Sequence, residues 1–179
     1  MKKSIKTLGL IVLAILLFFA IYKIITYKEP KFNKVELSKT NFVSNKTDMC
    51  YLDTIVSVGL CELGYDSVAV IIKPISIETT VDSFGDVTLQ AYIKGKDNQY
   101  IIYIGDVNRR EAINVLSHEL IHLKQYKTKE IIIDNGEVYW HNNKIEFKKI
   151  GYDERPWEID AQEKKLKLIT DISNTLYSK

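Results

Sequence analysis

Cysteine is scarce in this chain. Only Cys50 and Cys61 occur among 179 residues. The apolar residues around them recur at helical spacing, which predicts one helix over residues 48–63. Such a helix would hold the two Cα atoms about 16 Å apart, whereas a disulfide needs them within about 7 Å. The pattern therefore argues against a disulfide between them, and we expect two small buried residues on one helix face.

An excess of one charge is also missing. The formal net charge is +2, and four of the 25 basic residues lie within the first 23 positions. Without those four, 25 − 4 = 21 basic residues face 23 acidic ones. A domain so close to neutrality gives no reason to expect nucleic-acid binding. Internal repeats and low-complexity tracts are absent too, which argues against a repeat architecture.

The N-terminus carries the one long apolar run. Three lysines precede residues 8–22, and two isoleucines extend the run past Lys23. Its length is close to the about 20 residues of a membrane-spanning helix. A cleaved signal peptide is the alternative, but cleavage after Ala20 would place Phe18 where a small residue is needed. We therefore predict an uncleaved signal anchor, a transmembrane helix within residues 1–27.

The segments after the anchor follow from composition. Residues 28–46 are polar and lysine-rich, which predicts a tether. Residues 47–179 are long enough for one domain with its own core. Lysines flank the anchor on both sides, so the positive-inside rule is nearly balanced. Because a short basic N-terminus usually stays in the cytoplasm, we expect a single-pass membrane protein with an extracytoplasmic domain.

Hydrophobic periodicity predicts an α+β domain. Short β-branched runs predict strands, and residues 95–98 predict the turn of a hairpin. The final helix is expected over residues 155–177, with Pro156 in its first turn. The predicted strands are residues 67–73, 87–93, 100–104, 137–140 and 145–147, the last two forming a second hairpin. The predicted apolar face of the final helix comprises Leu166, Ile169, Ile172 and Leu176.

A helix is also predicted from about residue 109 to residue 126. Asn108 and Glu111 have the spacing of a capping box at its start. Its core stripe is expected to comprise Ile113, Leu116, Leu120 and Leu123. Residues 118–122 read H-E-L-I-H, and the polar members His118, Glu119 and His122 fall mainly off that stripe, toward a cleft.

This H-E-x-x-H segment has the spacing of a metal site. His118 and His122 lie four residues apart, so a helix places them on one face, where they can occupy two corners of a tetrahedral Zn²⁺ site. Glu119 is placed to act as general base toward a water at the metal. A catalytic zinc usually has three protein ligands. His141 and the carboxylates of the last helix are candidates, and Glu158 is the best because the first turn of a helix favours a carboxylate.

These residues resemble the zincin metallopeptidases. The resemblance rests on H-E-x-x-H and on the sequence R-P-W-E-I-D-A at residues 155–161, and it covers roughly residues 85–165. It is closest to the gluzincin branch and to small bacterial and phage proteins of the H-E-x-x-H…P-W-E-x-x-A type. The resemblance implies that His118, His122 and Glu158 bind one Zn²⁺ and that Glu119 is the base. It also implies a zincin-like fold, a small mixed or antiparallel sheet packed on the active-site helix, whose edge strand, with residues 100–104 as candidate, pairs with an extended peptide.

The chain departs from larger gluzincins in one respect. Their ligand glutamate is followed four residues later by an Asp that orients the first histidine, and here that position is Gln162. Asp160 is expected on a different helix face, so His118 has no identified partner. His141 and Tyr152 are candidates for stabilising the transition state, although an exposed hairpin histidine and a packing tyrosine are the simpler interpretations.

The expected function is a membrane-anchored zinc peptidase that acts on a peptide or protein substrate. Two alternatives remain open. The first is a membrane-tethered zinc-binding module without catalysis, which a closed site with His141 as fourth ligand would favour. The second is an amidase acting on cell-wall peptides, although the sequence has no cell-wall-binding repeat to favour it.

Overall fold

The computed structural model describes residues 41–75, 79–82, 85–88, 90–96 and 98–178. They belong to one compact unit, Asn33–Lys179. The predicted signal anchor lies outside the described residues. Among those described, no helix combines the length and the apolar character that crossing a membrane requires. Within this part of the chain the fold is mixed α+β, with three α-helices and three small sheets, so the predicted fold class is confirmed at that level.

The main sheet has four strands, which are β1 (Phe42–Asn45), β2 (Ala69–Pro74), β5 (Ala91–Lys96) and β6 (Gln99–Ile104). Their order in the sheet is β1-β2-β6-β5. β1, β2 and β6 run parallel, and β5 runs antiparallel to β6 as the predicted hairpin. β1 falls within the predicted tether, so the folded domain begins earlier than residue 47.

Two predictions about these strands are wrong. β6 lies between β2 and β5, so residues 100–104 do not form the edge; β5 does. The predicted strand over residues 87–93 is interrupted, because residues up to Thr88 pair in a separate hairpin. That hairpin consists of β3 (Thr79–Asp82) and β4 (Gly85–Thr88). Gly95 belongs to β5 rather than to the turn, and it pairs with Tyr100, whose backbone and ring leave no room for a β-carbon.

Three helices supply most of the core: α1 (Leu52–Glu62), α2 (Arg109–Lys127) and α3 (Pro156–Tyr177). α2 packs against both other helices and against β5. Gly59 lets α1 approach α2, because a β-carbon there would collide with the Leu120 side chain. Alternate residues of β2 and β6 are buried, as expected for strands with one face on the core.

α1 is shorter than the sequence predicts. It begins at Leu52, so Cys50 lies in the preceding turn, and both cysteines are free and exposed. The expectation that they are buried on one face is wrong. The helix buries residues such as Leu52, Ile55 and Leu60, and Cys61 lies about 100° around the helix from Leu60.

α2 forms as predicted. The Asn108 side chain accepts hydrogen bonds from the backbone N–H groups of Arg110 and Glu111, and the Glu111 carboxylate accepts one from Asn108 N–H. This capping box fixes where the helix starts. The predicted core stripe is also buried, with 5% exposure at Ile113 and none at the other members, Leu116, Leu120 and Leu123.

The buried face of α3 matches the prediction only in part: Ile172 and Leu176 are buried as predicted, but Leu166 is not. Leu166 is 64% exposed, whereas Leu168 is 3% exposed and shares the core side with Ala161 and Ile172. Leu166 and Leu168 are separated by about 200° around a helix, so only one of them can face the core. Packing against α1 and α2 selects Leu168.

A small three-stranded sheet supports the start of α3. It comprises β7 (Ile131–Asp134), β8 (Glu137–Trp140) and β9 (Asn143–Ile145), so the predicted second hairpin is present with its last strand two residues earlier. Ile131 and Val138 pack against Trp157, the second residue of α3. This cluster holds the first turn of α3, which contains Glu158.

Candidate metal centre

Three side chains from two helices converge. His118 and His122 lie on successive turns of α2, and Glu158 lies in the first turn of α3. The two Nε2 atoms are 3.0 Å apart. Glu158 Oε2 lies 3.1 Å from His118 Nε2 and 3.2 Å from His122 Nε2. The packing of α2 on α3 thus joins residues 36 and 40 positions apart in the chain.

This triangle fits a metal ion. A tetrahedral zinc with bonds of about 2.0–2.1 Å separates its ligand atoms by about 3.3 Å. Hydrogen bonding explains the triangle poorly, because two Nε2–H groups that both donate to Glu158 Oε2 would leave the two donor nitrogens 3.0 Å apart with no hydrogen bond between them. Two imidazole nitrogens and one carboxylate oxygen are also a donor set that zinc prefers. Among the described residues, these three are the group of His, Cys, Asp or Glu side chains whose ligand atoms lie close enough together to hold a metal ion.

The charges of these groups are coupled. Burial lowers the pKa of His122, but the hydrogen bond and charge of Glu158, the charge of Glu119 and the hydrogen bond to Gln125 together raise it above its usual value. Burial raises the pKa of Glu158, yet its contacts with His118 and His122 lower it to about 2. The Glu158 carboxylate is therefore held in its ionised form beside the two imidazoles, and a bound metal ion would take the place of any proton on their Nε2 atoms.

Glu119 lies on the side of α2 that faces β5. It is 5% exposed, and its carboxylate accepts a hydrogen bond from the backbone N–H of Ile93. Burial raises its pKa to about 7; His122 and the Ile93 N–H oppose this shift, and Glu158 adds to it. A carboxyl group that titrates near neutral pH can both accept and release a proton during a reaction.

Gln125 is a site residue that the sequence did not reveal. Its side chain is fully buried, and its Oε1 atom accepts a hydrogen bond from His122 Nδ1–H at 2.7 Å. Its Nε2 atom donates to the Trp157 carbonyl at 3.0 Å and to Asp160 Oδ2 at 2.8 Å. Asp160, which the sequence places on a different face from Glu158, therefore supports the site through Gln125. The available signal was its position three residues after His122 on the same helix.

His118 lacks such support. Its Nδ1 atom is buried and, in the part of the chain that the structure describes, has no hydrogen-bond partner. Gln162, which stands where larger gluzincins have an Asp, lines the adjoining cleft instead. Among the described residues, a side chain therefore holds Nδ1 of His122 but not Nδ1 of His118.

A cleft of about 400 Å³ opens beside His118 and Glu158. The Tyr152 hydroxyl donates a hydrogen bond to Glu158 there, and burial followed by the Glu158 charge raises the Tyr152 pKa, which keeps the hydroxyl protonated. His141 is exposed in the turn after β8, where its ring contacts Trp140, and it does not line this cleft. The lining residues are His118, Tyr152, Asp153, Glu158, Ile159, Gln162 and Glu163.

Comparison of the chain with models of protein families, with curated proteins and with solved structures finds no match in any of the three. The case for a function therefore rests on the geometry of this centre.

Proposed function

We propose that the protein is a zinc-dependent peptidase of zincin type that hydrolyses peptide bonds. The observation that carries this proposal is the convergence of His118 Nε2, His122 Nε2 and Glu158 Oε2 within 3.0–3.2 Å of one another. A buried carboxyl group, Glu119, and an open cleft lie beside them. A purely structural zinc site would instead be closed by four protein ligands.

His118, His122 and Glu158 would hold the ion. A zinc ion at this position supplies Lewis-acid polarisation of a carbonyl and lowers the pKa of water toward about 7. Glu119 accepts the proton of the attacking water and passes it to the leaving nitrogen. Its environment suits this exchange, because burial brings its pKa to about 7.

Two further features support peptide hydrolysis. β5 has no strand partner on its outer side among the described strands, so an extended peptide can pair with it next to Glu119. The Tyr152 hydroxyl lies in the cleft beside His118 and Glu158, where a protonated donor can stabilise the charge that develops on the substrate carbonyl oxygen. Of the two candidates for this role, His141 and Tyr152, only Tyr152 lines the cleft.

The proposal retains a membrane anchor within residues 1–27, which would tether this domain outside the cytoplasm. A tethered zinc-binding module without catalysis is a second candidate. One observation favours it: the buried His118 Nδ1 atom has no hydrogen-bond partner among the residues that the structure describes. Metal-bound histidines in enzymes almost always have a hydrogen bond at the other nitrogen.

Peptide cleavage tests the proposal. The full chain in detergent is incubated with a mixture of unstructured peptides, and the products are identified by mass spectrometry. We expect cleavage by the zinc-loaded wild type and by Glu146→Gln, an exposed control. Glu119→Gln should bind zinc but lose at least about a hundredfold in rate, because the base contributes about 10²–10⁴. Cleavage at the wild-type rate by Glu119→Gln or by zinc-free protein would refute the peptidase mechanism. A wild-type protein that binds zinc but cleaves no peptide would favour the zinc-binding module without catalysis.

A further inference from the structure

We propose that Gln125 is a positioning residue that fixes His122 for metal binding, and that Asp160 supports it. This inference rests on the metal centre of the proposed function. It concerns which side chains determine how tightly that centre binds zinc, and it follows from hydrogen bonds among four residues.

The hydrogen-bond partners of Gln125 leave its amide only one orientation. The Trp157 carbonyl and the Asp160 carboxylate can only accept, so the Gln125 NH₂ group must face them. Its carbonyl oxygen then faces His122 Nδ1 at 2.7 Å. His122 must therefore carry a proton on Nδ1, so in its neutral form the ring presents the Nε2 lone pair toward His118 and Glu158.

Gln125 also joins the two helices that provide the ligands. It lies on α2, and its two acceptors lie on α3 on either side of Glu158. One side chain thereby holds the His122 ring and the turn that presents the Glu158 carboxylate. Asp160 in turn forms an ion pair with Lys164, whose Nζ atom lies 2.7 Å from Asp160 Oδ1, so the negative charge of Asp160 is balanced.

His118 and His122 differ in how their rings are held. His122 is fixed at both ring nitrogens, whereas the buried Nδ1 atom of His118 has no partner within the described residues. Removing the Gln125 hydrogen bonds should therefore weaken Zn²⁺ binding by all three ligands, since among the described residues no equivalent network orients the His118 ring.

The test is the Zn²⁺ dissociation constant of the full chain, measured by competition with a chromogenic chelator. We expect Gln125→Leu to bind Zn²⁺ about 10–100-fold more weakly, the usual effect of removing the partner of a ligand histidine. Asp160→Leu should weaken binding several-fold, and Asp160→Asn should restore most of that loss because its amide oxygen still accepts from Gln125. Leu168→Ala is the control, since it removes core packing about 15 Å along α3 from Glu158 and should leave the constant unchanged.

A second readout needs no metal. The chain has three histidines, so their ring ¹H–¹⁵N signals can be assigned. The Nδ1–H signal of His122 should be protected from exchange in the metal-free wild type and lose that protection in Gln125→Leu.

Equal dissociation constants for wild type, Gln125→Leu and Asp160→Leu would overturn this inference and leave the proposed function standing. If Gln125→Leu does not fold, the two variants of the half-buried Asp160 decide. Equal Zn²⁺ dissociation constants for Asp160→Leu and Asp160→Asn would then overturn the inference. A wild-type protein that binds no Zn²⁺ would overturn both the proposed function and the inference.

Discussion

At the scale of single residues, the Tyr152 hydroxyl can be tested without disturbing the ligands. It donates to Glu158 and lines the cleft. We predict that Tyr152→Phe lowers kcat about tenfold or more and leaves the zinc content unchanged, because a donor to the developing oxyanion is lost while all three ligands remain. Tyr139→Phe is the matched control, since its hydroxyl bonds Glu137 in the small sheet. If Tyr152→Phe has the same kcat as the wild type, the Tyr152 hydroxyl does not take part in catalysis and the side chain serves only in packing.

The sequence predicted those site residues whose placement is local. A helix of 3.6 residues per turn puts His118 and His122 on one face whatever the rest of the fold does. Glu158 followed from its position in a first turn. Gln125 was missed because its role depends on Asp160 and on the carbonyl of Trp157, which meet it only when α3 packs on α2.

At the scale of secondary-structure elements, α3 offers a matched pair of leucines. Leu168 is 3% exposed and Leu166 is 64% exposed on the same helix. We predict that Leu168→Ala lowers the free energy of unfolding by about 2–5 kcal/mol, the usual effect of a buried cavity. Leu166→Ala should change it by less than about 0.5 kcal/mol. Urea denaturation of both variants checks the prediction. A larger loss of unfolding free energy for Leu166→Ala than for Leu168→Ala would show that Leu166, and not Leu168, faces the core.

The capping box of α2 is the second element-scale test. Asn108→Ala removes the acceptor for two backbone N–H groups at the start of the helix. We predict a loss of about 1 kcal/mol in the free energy of unfolding. Asn108→Asp keeps an acceptor next to the helix N-terminus and should retain nearly full stability. Equal stability of Asn108→Ala and wild type in urea would show that the cap contributes nothing.

Element prediction succeeded where local patterns decide. The capping box located the start of α2, and Pro156 located the start of α3. It failed where distant segments choose a partner. Residues 100–104 became a central strand because β2 pairs with them in parallel, and no local pattern encodes that pairing. Likewise the choice between Leu166 and Leu168 depends on which side of α3 meets the other helices.

At the scale of the whole molecule, zinc should stabilise the domain. The three ligands join α2 to α3, and an ion that binds only the folded state adds about 2.7 kcal/mol at a concentration of 100 times its Kd. For a chain of this size, that corresponds to a rise in Tm of about 5–10 °C. Thermal unfolding of the full chain, followed by circular dichroism with Zn²⁺ and with a chelator, checks this. An unchanged Tm with saturating Zn²⁺ would contradict it.

The central claim is that His118, His122 and Glu158 form one metal centre. Metal analysis of the purified full chain tests it most directly, with each ligand changed to Ala in turn and folding verified by circular dichroism. We predict about one zinc per chain in the wild type and in His141→Ala, and little or none in the three ligand variants. Loss of zinc from His141→Ala would indicate a closed four-ligand site. Equal zinc content in the wild type and in all three ligand variants would contradict the metal centre itself.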